Sequence, residues 1–213
     1  MNKDKHPKTG LLIIFSAPSG CGKTTIVDRL LKRHTDWIRS VSVTTRTPRI
    51  GEKGGGDYYF VLPSAFQQME QNGELLESAK VFDHFYGTPK SFVIENLQSG
   101  KNVILTIDVQ GMRKIKKALA DGKFPLLTVF VLPPSLKILR ERLEGRKTET
   151  PEEIERRISM AQEEIKSANQ YDFAVMNQSL EQTVFEIESF IEKKESERGE
   201  EKHALRTPGK IDH

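Results

Sequence analysis

The sequence has almost no cysteine: Cys21 is the only one in 213 residues. A disulfide framework is therefore excluded, as is a metal centre built from several thiolates. A strong charge of one sign is lacking as well. Thirty-three basic side chains face 30 acidic ones, a formal net charge of +3. A non-specific nucleic-acid binder carries a larger, clustered excess, so any basic site here is local and no nucleic-acid partner is expected. Long apolar runs are missing too. Polar residues Met1–Thr9 lead into an apolar run from Leu11 to Phe15 only. That run is too short to span a membrane and lacks the flanks of a secretory signal. A reducing cytoplasm is the expected compartment, with no membrane contact and no internal repeat.

What the chain does have is a rhythm of strands and helices. Leu11–Phe15, Val103–Ile107, Leu126–Leu132 and Phe173–Met176 are short apolar runs without alternation, the pattern of strands covered on both faces. Helical patterns lie between them. Gln110–Asp121 stops at Gly122 and Ser135–Glu144 at Gly145, both glycines suiting a left-handed cap. Thr150-Pro151-Glu152-Glu153 reads as a capping box with proline at the first helical position. Ser179-Leu180-Glu181-Gln182 opens a last helix with Leu180, Val184, Ile187 and Ile191 on one face. Strands alternating with helices predict an α/β fold, a parallel sheet between two helical layers. From about Ile38 to Tyr86 the rhythm breaks. Val41 and Val43 alternate with polar neighbours, and Tyr58–Leu62 and Leu75–Phe82 read as further strands around one helix, Ser64–Asn72, closed by Gly73. This segment is expected to be a β-rich insertion. After Ile191 the chain turns Glu/Lys/Arg-rich, and residues 196–213 are expected to form a flexible tail.

The most informative segment is Ala17-Pro18-Ser19-Gly20-Cys21-Gly22-Lys23-Thr24, which follows the first strand and opens a helix over Thr25–Arg33. Gly20 and Gly22 let successive backbone N–H groups turn inward around a phosphate, and the positive end of the helix adds to the field. Lys23 puts a charge on the outer phosphates, and the Thr24 hydroxyl suits Mg²⁺. The usual pattern opens on glycine where this chain has Ala17. A chance glycine-rich turn is the bland alternative, and the strand–loop–helix context argues against it. Cys21 is read as a small residue lending its N–H, since no partner base is evident.

A second phosphate site is suggested by Arg46 and Arg49, three apart across Pro48, because guanidinium forks suit a terminal phosphate. Tyr58 and Tyr86 could donate phenolic hydrogen bonds beside it without adding charge. Each of these residues alone is equally an ordinary surface or core residue.

Five motifs taken in order resemble the guanylate kinase family. They are the Ser16–Thr24 loop, Thr44-Thr45-Arg46-Thr47-Pro48-Arg49, Phe85-Tyr86-Gly87-Thr88, Ile107-Asp108-Val109-Gln110-Gly111 and Arg142-Leu143-Glu144-Gly145-Arg146. The resemblance spans about Leu11 to Ile191. It implies a P-loop core over residues 11–37 and 96–195, a GMP-binding insertion over 38–95 and a mobile lid over 138–160. It also implies ATP-dependent phosphorylation of GMP and dGMP. By the same resemblance, Ala17–Thr25 and Asn177 hold ATP. Arg46, Arg49, Tyr58 and Tyr86 hold the GMP phosphate, Ser42 and Glu77 read the base, and Gly87, Thr88 and Asp108 belong to the same GMP site. Lys23, Arg46, Arg142, Arg146 and Arg157 assist transfer, with Thr24 on Mg²⁺. Arg140 and Arg156 are read as solvated helix faces balanced by acidic neighbours. Asp108 has two readings, Mg²⁺ through water or the guanine amino group. Thr106 stands where the family usually carries a second acid. Two other functions fit less well: an inactive interaction module, which the intact Lys23 and Thr24 oppose, and a kinase for another phosphorylated acceptor, which Glu77 with Ser42 opposes. Partners are thus expected to be ATP and GMP or dGMP, with protein partners unspecified.

Overall fold

The computed structural model describes residues 9–49, 51–145 and 149–204, with side chains described through residue 198. Arg146 lies outside the described residues.

The core is a five-stranded parallel sheet in the order β2-β7-β1-β8-β9. Its strands are β1 (Leu12–Ser16), β2 (Ile38–Arg39), β7 (Val103–Thr106), β8 (Leu126–Leu132) and β9 (Phe173–Met176). The unbroken apolar runs have a direct cause: both faces are covered. Ile13, Phe15, Val129 and Val131 meet α1 (Lys23–Arg33), α5 (Leu136–Glu144), α6 (Pro151–Lys166) and α7 (Leu180–Ala204) on one side. Leu12, Ile14, Leu105 and Phe130 meet α3 (Lys90–Gln98) and α4 (Val109–Ala118) on the other. Each such side chain, fully buried, contributes about 1.5–3 kcal/mol.

A second sheet, β4-β3-β6-β5, comes from the middle of the chain. It contains β3 (Val43–Thr44), β4 (Tyr59–Phe60), β5 (Leu75–Val81) and β6 (His84–Pro89), with α2 (Pro63–Gln71) packed on it through Phe66. The strands β5 and β6 form an antiparallel hairpin whose turn is Phe82-Asp83.

Several boundaries differ from the sequence reading. Ile38 and Arg39 pair with Val103 and Ile104 in the core sheet, so the second sheet begins later than Ile38. The core resumes at α3, whose Val93 and Leu97 are buried in it. Strand β6 has no readable strand pattern because Gly87 and Pro89 interrupt it, and helix α3, closed by Gly100 at φ 87°, is not among the helices expected above. Helix α1 starts at Lys23, two residues early, because Gly22 itself serves as its N-cap. Helix α4 ends at Ala118 with Leu119 as its C-cap, short of the expected Asp121, and left-handed Gly122 (φ 69°) lies in the turn beyond it, while Gly145 stays right-handed at φ −63°. Helix α7 runs on to Ala204, past the point where a tail was expected. Its charged segment continues with pairs such as Lys194–Glu197. The capping box at Thr150 forms, with Glu153 N–H donating to Thr150 Oγ1 at 3.3 Å and Thr150 N–H to Glu153 Oε2 at 2.8 Å.

Candidate active site

The loop between β1 and α1 needs its two glycines. Gly20 and Gly22 have φ of 94° and 84°, in the left-handed region that other residues enter only with strain. Space makes a second demand at Gly22: a Cβ there would lie 2.7 Å from Asn177 Nδ2. That amide donates to the Cys21 carbonyl at 2.8 Å, and Thr183 Oγ1 donates to its Oδ1 at 3.3 Å. Asn177, expected beside adenine, is buried beneath the loop, where its amide holds the loop's shape. Cys21 is fully buried and lends no side chain to the cleft.

Above the loop opens a cleft of about 640 Å³. Ala17, Pro18, Ser19, Gly20, Gly22, Lys23, Thr24 and Thr25 line its floor, and Ser42, Arg46, Arg49, Tyr58, Glu77 and Tyr86 line the opposite wall. Thr106 and Asp108 sit between the two, at the end of β7. Residues from two sheets thus share one cavity, as expected of a site at the carboxyl ends of parallel strands.

Lys23 occupies the first position of α1. Burial holds its ammonium below the usual lysine pKa, against the opposing pull of Glu164 and Asp108. Asp108 caps α4, its Oδ1 accepting from Gly111 N–H at 2.8 Å.

On the opposite wall Arg46 is locked in place. Its Nη2 donates to both oxygens of Glu52 at 2.8 and 2.9 Å, and its Nη1 to the Thr47 carbonyl at 2.8 Å. The guanidinium also lies 5.5 Å from the Tyr58 ring and 5.8 Å from that of Phe60. Burial alone would raise the Glu52 carboxyl, but the Arg46 fork and the Arg49 N–H outweigh it and hold its pKa below the usual value. Tyr86 packs edge-on against Tyr58 at 5.9 Å. Four groups able to bind an anion thus line one corner of the cleft, and Glu52, which holds the Arg46 fork and accepts from the Arg49 N–H, is not among the residues the sequence points to.

Glu77 is buried, only 7% exposed. Thr88 Oγ1 donates to its Oε1 at 2.7 Å. Desolvation pushes its carboxyl up to about 7, overriding the Thr88 bond and helped by the nearby charge of Asp108. Gly87 and Thr88 therefore stand behind the wall: Thr88 holds Glu77, and a Cβ on Gly87 would collide with Leu75 at 2.8 Å.

The lid residues are distributed unevenly. Arg157 lines the cleft and donates to Ser19 Oγ at 3.0 Å, with Glu149 3.5 Å away. Arg142 lies outside the cleft lining, its Nη2 donating to the Asn177 carbonyl at 3.4 Å. Helix α5 ends at Glu144, with Gly145 as its C-cap. Arg140 pairs with exposed Glu155, as a solvated face should. Arg156, expected to do the same, borders the cleft. Glu153, Arg157, Met160 and Glu164 all line it, and their spacing of four, three and four puts them on one face of α6. That stripe was readable; what it faced was not. Glu164 is pushed up to about 7 by desolvation, partly offset by Lys23.

Comparison with known proteins now adds to this geometry. The family model described as guanylate kinase matches residues 9–194. The chain belongs to the guanylate kinase family. A guanylate kinase of Clostridioides difficile is 46% identical over 86% of this chain and 88% of its own. One of the Wolbachia endosymbiont of Brugia malayi is 44% identical over 89% and 95% respectively. The crystal structure of guanylate kinase from Anaplasma phagocytophilum superposes with a TM-score of 0.73 at 32% identity, covering 88% of this chain and 87% of that one. The guanylate kinase fold, a P-loop core with parallel sheet, accordingly accounts for both sheets described above.

Proposed function

We propose that the protein catalyses ATP + GMP → ADP + GDP, and the same reaction with dGMP, by direct transfer of the γ-phosphoryl group to a phosphate oxygen of the acceptor. The observation that carries this reading is that one cleft holds a triphosphate cradle on one wall and a second anion corner on the other. Two anions that must meet in line need such a pair of facing sites. Backbone N–H groups of the loop and Lys23 would hold the donor phosphates. Arg46, Arg49, Tyr58 and Tyr86 would hold the acceptor phosphate, with Ser42 and Glu77 on the base. Guanine offers N1–H and an amino group, both donors, to one carboxylate, whereas adenine turns a lone pair toward it. Asp108 borders both nucleotides' spaces and suits the guanine amino group.

Mg²⁺ would enter as part of the substrate, bound to ATP. Among the described residues no cluster of three His, Cys, Asp or Glu could hold a metal ion alone. The donor set present, the Thr24 hydroxyl with Asp108 and Thr106 nearby, suits an octahedral ion that takes most of its ligands from phosphate and water. When bound, the ion neutralises charge on the phosphates. The α5–α6 region would act as the lid, with Arg157 on the transferring group and Arg142 and Arg146 near it. A cytoplasmic location follows from the substrates. Among the described residues no helix is long and apolar enough to cross a membrane.

An ADP-release assay with GMP, dGMP, AMP, UMP and CMP tests the acceptor. Turnover is expected with the two guanine nucleotides, and at least about 100-fold less with the others. Comparable turnover with another base would sink the assignment.

The base site carries a steric prediction. A Cβ on Gly111 would lie 2.8 Å from Glu77 Oε2 and 3.2 Å from its carboxyl carbon. Alanine is the better helix residue by about 1 kcal/mol, so Gly111→Ala should melt near wild type while the displaced carboxylate raises the KM for GMP roughly ten-fold. Steady-state kinetics beside a thermal melt checks this, and an unchanged KM would remove Glu77 from the base.

A further inference from the structure

The turn at the tip of the β5–β6 hairpin has an unexpected occupant. Phe82 has φ 53°, the one non-glycine residue at positive φ among those described. Two-residue hairpin turns put glycine, asparagine or aspartate in such positions, because a bulky L side chain there is strained. Strain of this kind persists where the surroundings hold it, and the surroundings here are cations. The Arg156 guanidinium carbon lies 4.8 Å from the centre of the Phe82 ring and that of Arg157 lies 5.5 Å from it. Asp83, the other turn residue, approaches Arg156 Nη2 at 3.9 Å. Arg157 reaches onward to Ser19 Oγ in the phosphate loop at 3.0 Å. A contiguous path therefore runs from the second sheet, through α6, to the phosphate loop, and every member lines the cleft.

We infer that Phe82 is a positioning residue: its ring holds the guanidinium groups of Arg156 and Arg157 and so makes the acceptor wall and α6 move as one body. This rests on the proposed action of Arg157 on the phosphates. An aromatic face attracts a guanidinium from a range of angles, so the contact can persist while the hairpin shifts, which a single hydrogen bond could not. The glycine that would relieve the turn would also release the arginines. The left-handed phenylalanine exchanges stability for placement of a cation, a trade found at functional sites.

The test uses the full chain, with kinetics and thermal melts of Phe82→Leu, Phe82→Tyr and Phe82→Gly, alone and with Arg157→Gln. Phe82→Leu should lower kcat about ten-fold with little change in the KM for ATP, and Phe82→Tyr, which keeps the ring, should recover the rate. Phe82→Gly should melt at a higher temperature than wild type and still turn over slowly, a combination that a purely structural residue would not give. In the Arg157→Gln background Phe82→Leu should have less than about a two-fold further effect, because the ring acts through that arginine. A Phe82→Leu enzyme as fast as wild type, a Phe82→Tyr enzyme as slow as Phe82→Leu, or equal losses in both backgrounds would overturn the inference. An Arg157→Gln enzyme with wild-type kcat would overturn the role of that arginine and this inference with it. A slow Arg157→Gln enzyme beside a fast Phe82→Leu enzyme would overturn this inference alone.

Discussion

Lys23→Ala is expected to leave a folded protein whose phosphoryl transfer is about a thousand-fold slower or worse. Lys23 lines the same cleft as Arg46 and Arg157. Charge in the transition state spreads over the phosphoryl oxygens, and a cation partly removed from water acts on it more strongly than a fully hydrated one. Stability should respond weakly, for opposing reasons. Desolvation lowers the Lys23 pKa in the fold, so the unfolded chain binds the proton better and the side chain is a burden on folding that lightens as pH rises. Removing it lifts that burden, and alanine suits the first turn of α1. Against this, Glu164 and Asp108 lose the positive charge that partly offsets their proximity. ADP release and circular dichroism, measured together, check the outcome. Activity near wild type in a folded Lys23→Ala protein would mean that this loop does not perform the transfer.

How much of this was legible beforehand depended on whether the cause was local. Leu126–Leu132 and Phe173–Met176 were read with their correct ends because strands buried on both faces need uniform apolar residues. The cap at Thr150 was legible because its partner lies three residues away, and Gly20 and Gly22 because the turn itself takes a left-handed backbone. Residues whose role depends on a distant partner were not. Nothing near Asn177 in sequence shows that its amide folds under Cys21, 156 residues away. Phe82 read as the end of a strand, and its significance comes from Arg156 and Arg157 across the cleft. Glu52 lay in a Gly/Lys-rich turn, the least informative composition in the chain, yet it orders the Arg46 fork. Family resemblance supplied Glu77, and only the packing shows why a carboxylate there is unusual.

Glu77→Gln should make the protein more stable at pH 8 and a worse enzyme. The carboxyl titrates at about 7 in the fold against an ordinary 4.5. Its protonated form is thus the one the fold prefers. The stability linked to it is complete below pH 4.5 and is lost as pH rises through about 7. Glutamine is never ionised and keeps that stability throughout. At pH 8 the difference amounts to about 3 kcal/mol in favour of the variant, or a rise in Tm of roughly 5–10 °C, and it should vanish near pH 4. Glu164 is perturbed similarly but is present in both proteins, so it cancels. Asp108 pushes the Glu77 carboxyl up, while the Thr88 hydroxyl and Lys114 pull it down. Catalysis runs the other way. The ionised carboxylate accepts from both guanine donors, whereas glutamine offers one acceptor and an NH₂ that opposes the other, weakening GMP by about 10- to 100-fold. Discrimination against AMP should fall with it. For the wild type the same chemistry requires the KM for GMP to rise as pH drops below about 7, and requires GMP binding near that pH to release a proton. Melts of both proteins from pH 4 to 8, with GMP titrations at pH 6 and 8, check each part. Parallel melting curves would show that Glu77 is not strained by burial, and a GMP titration unaltered in Glu77→Gln would show that it does not read the base.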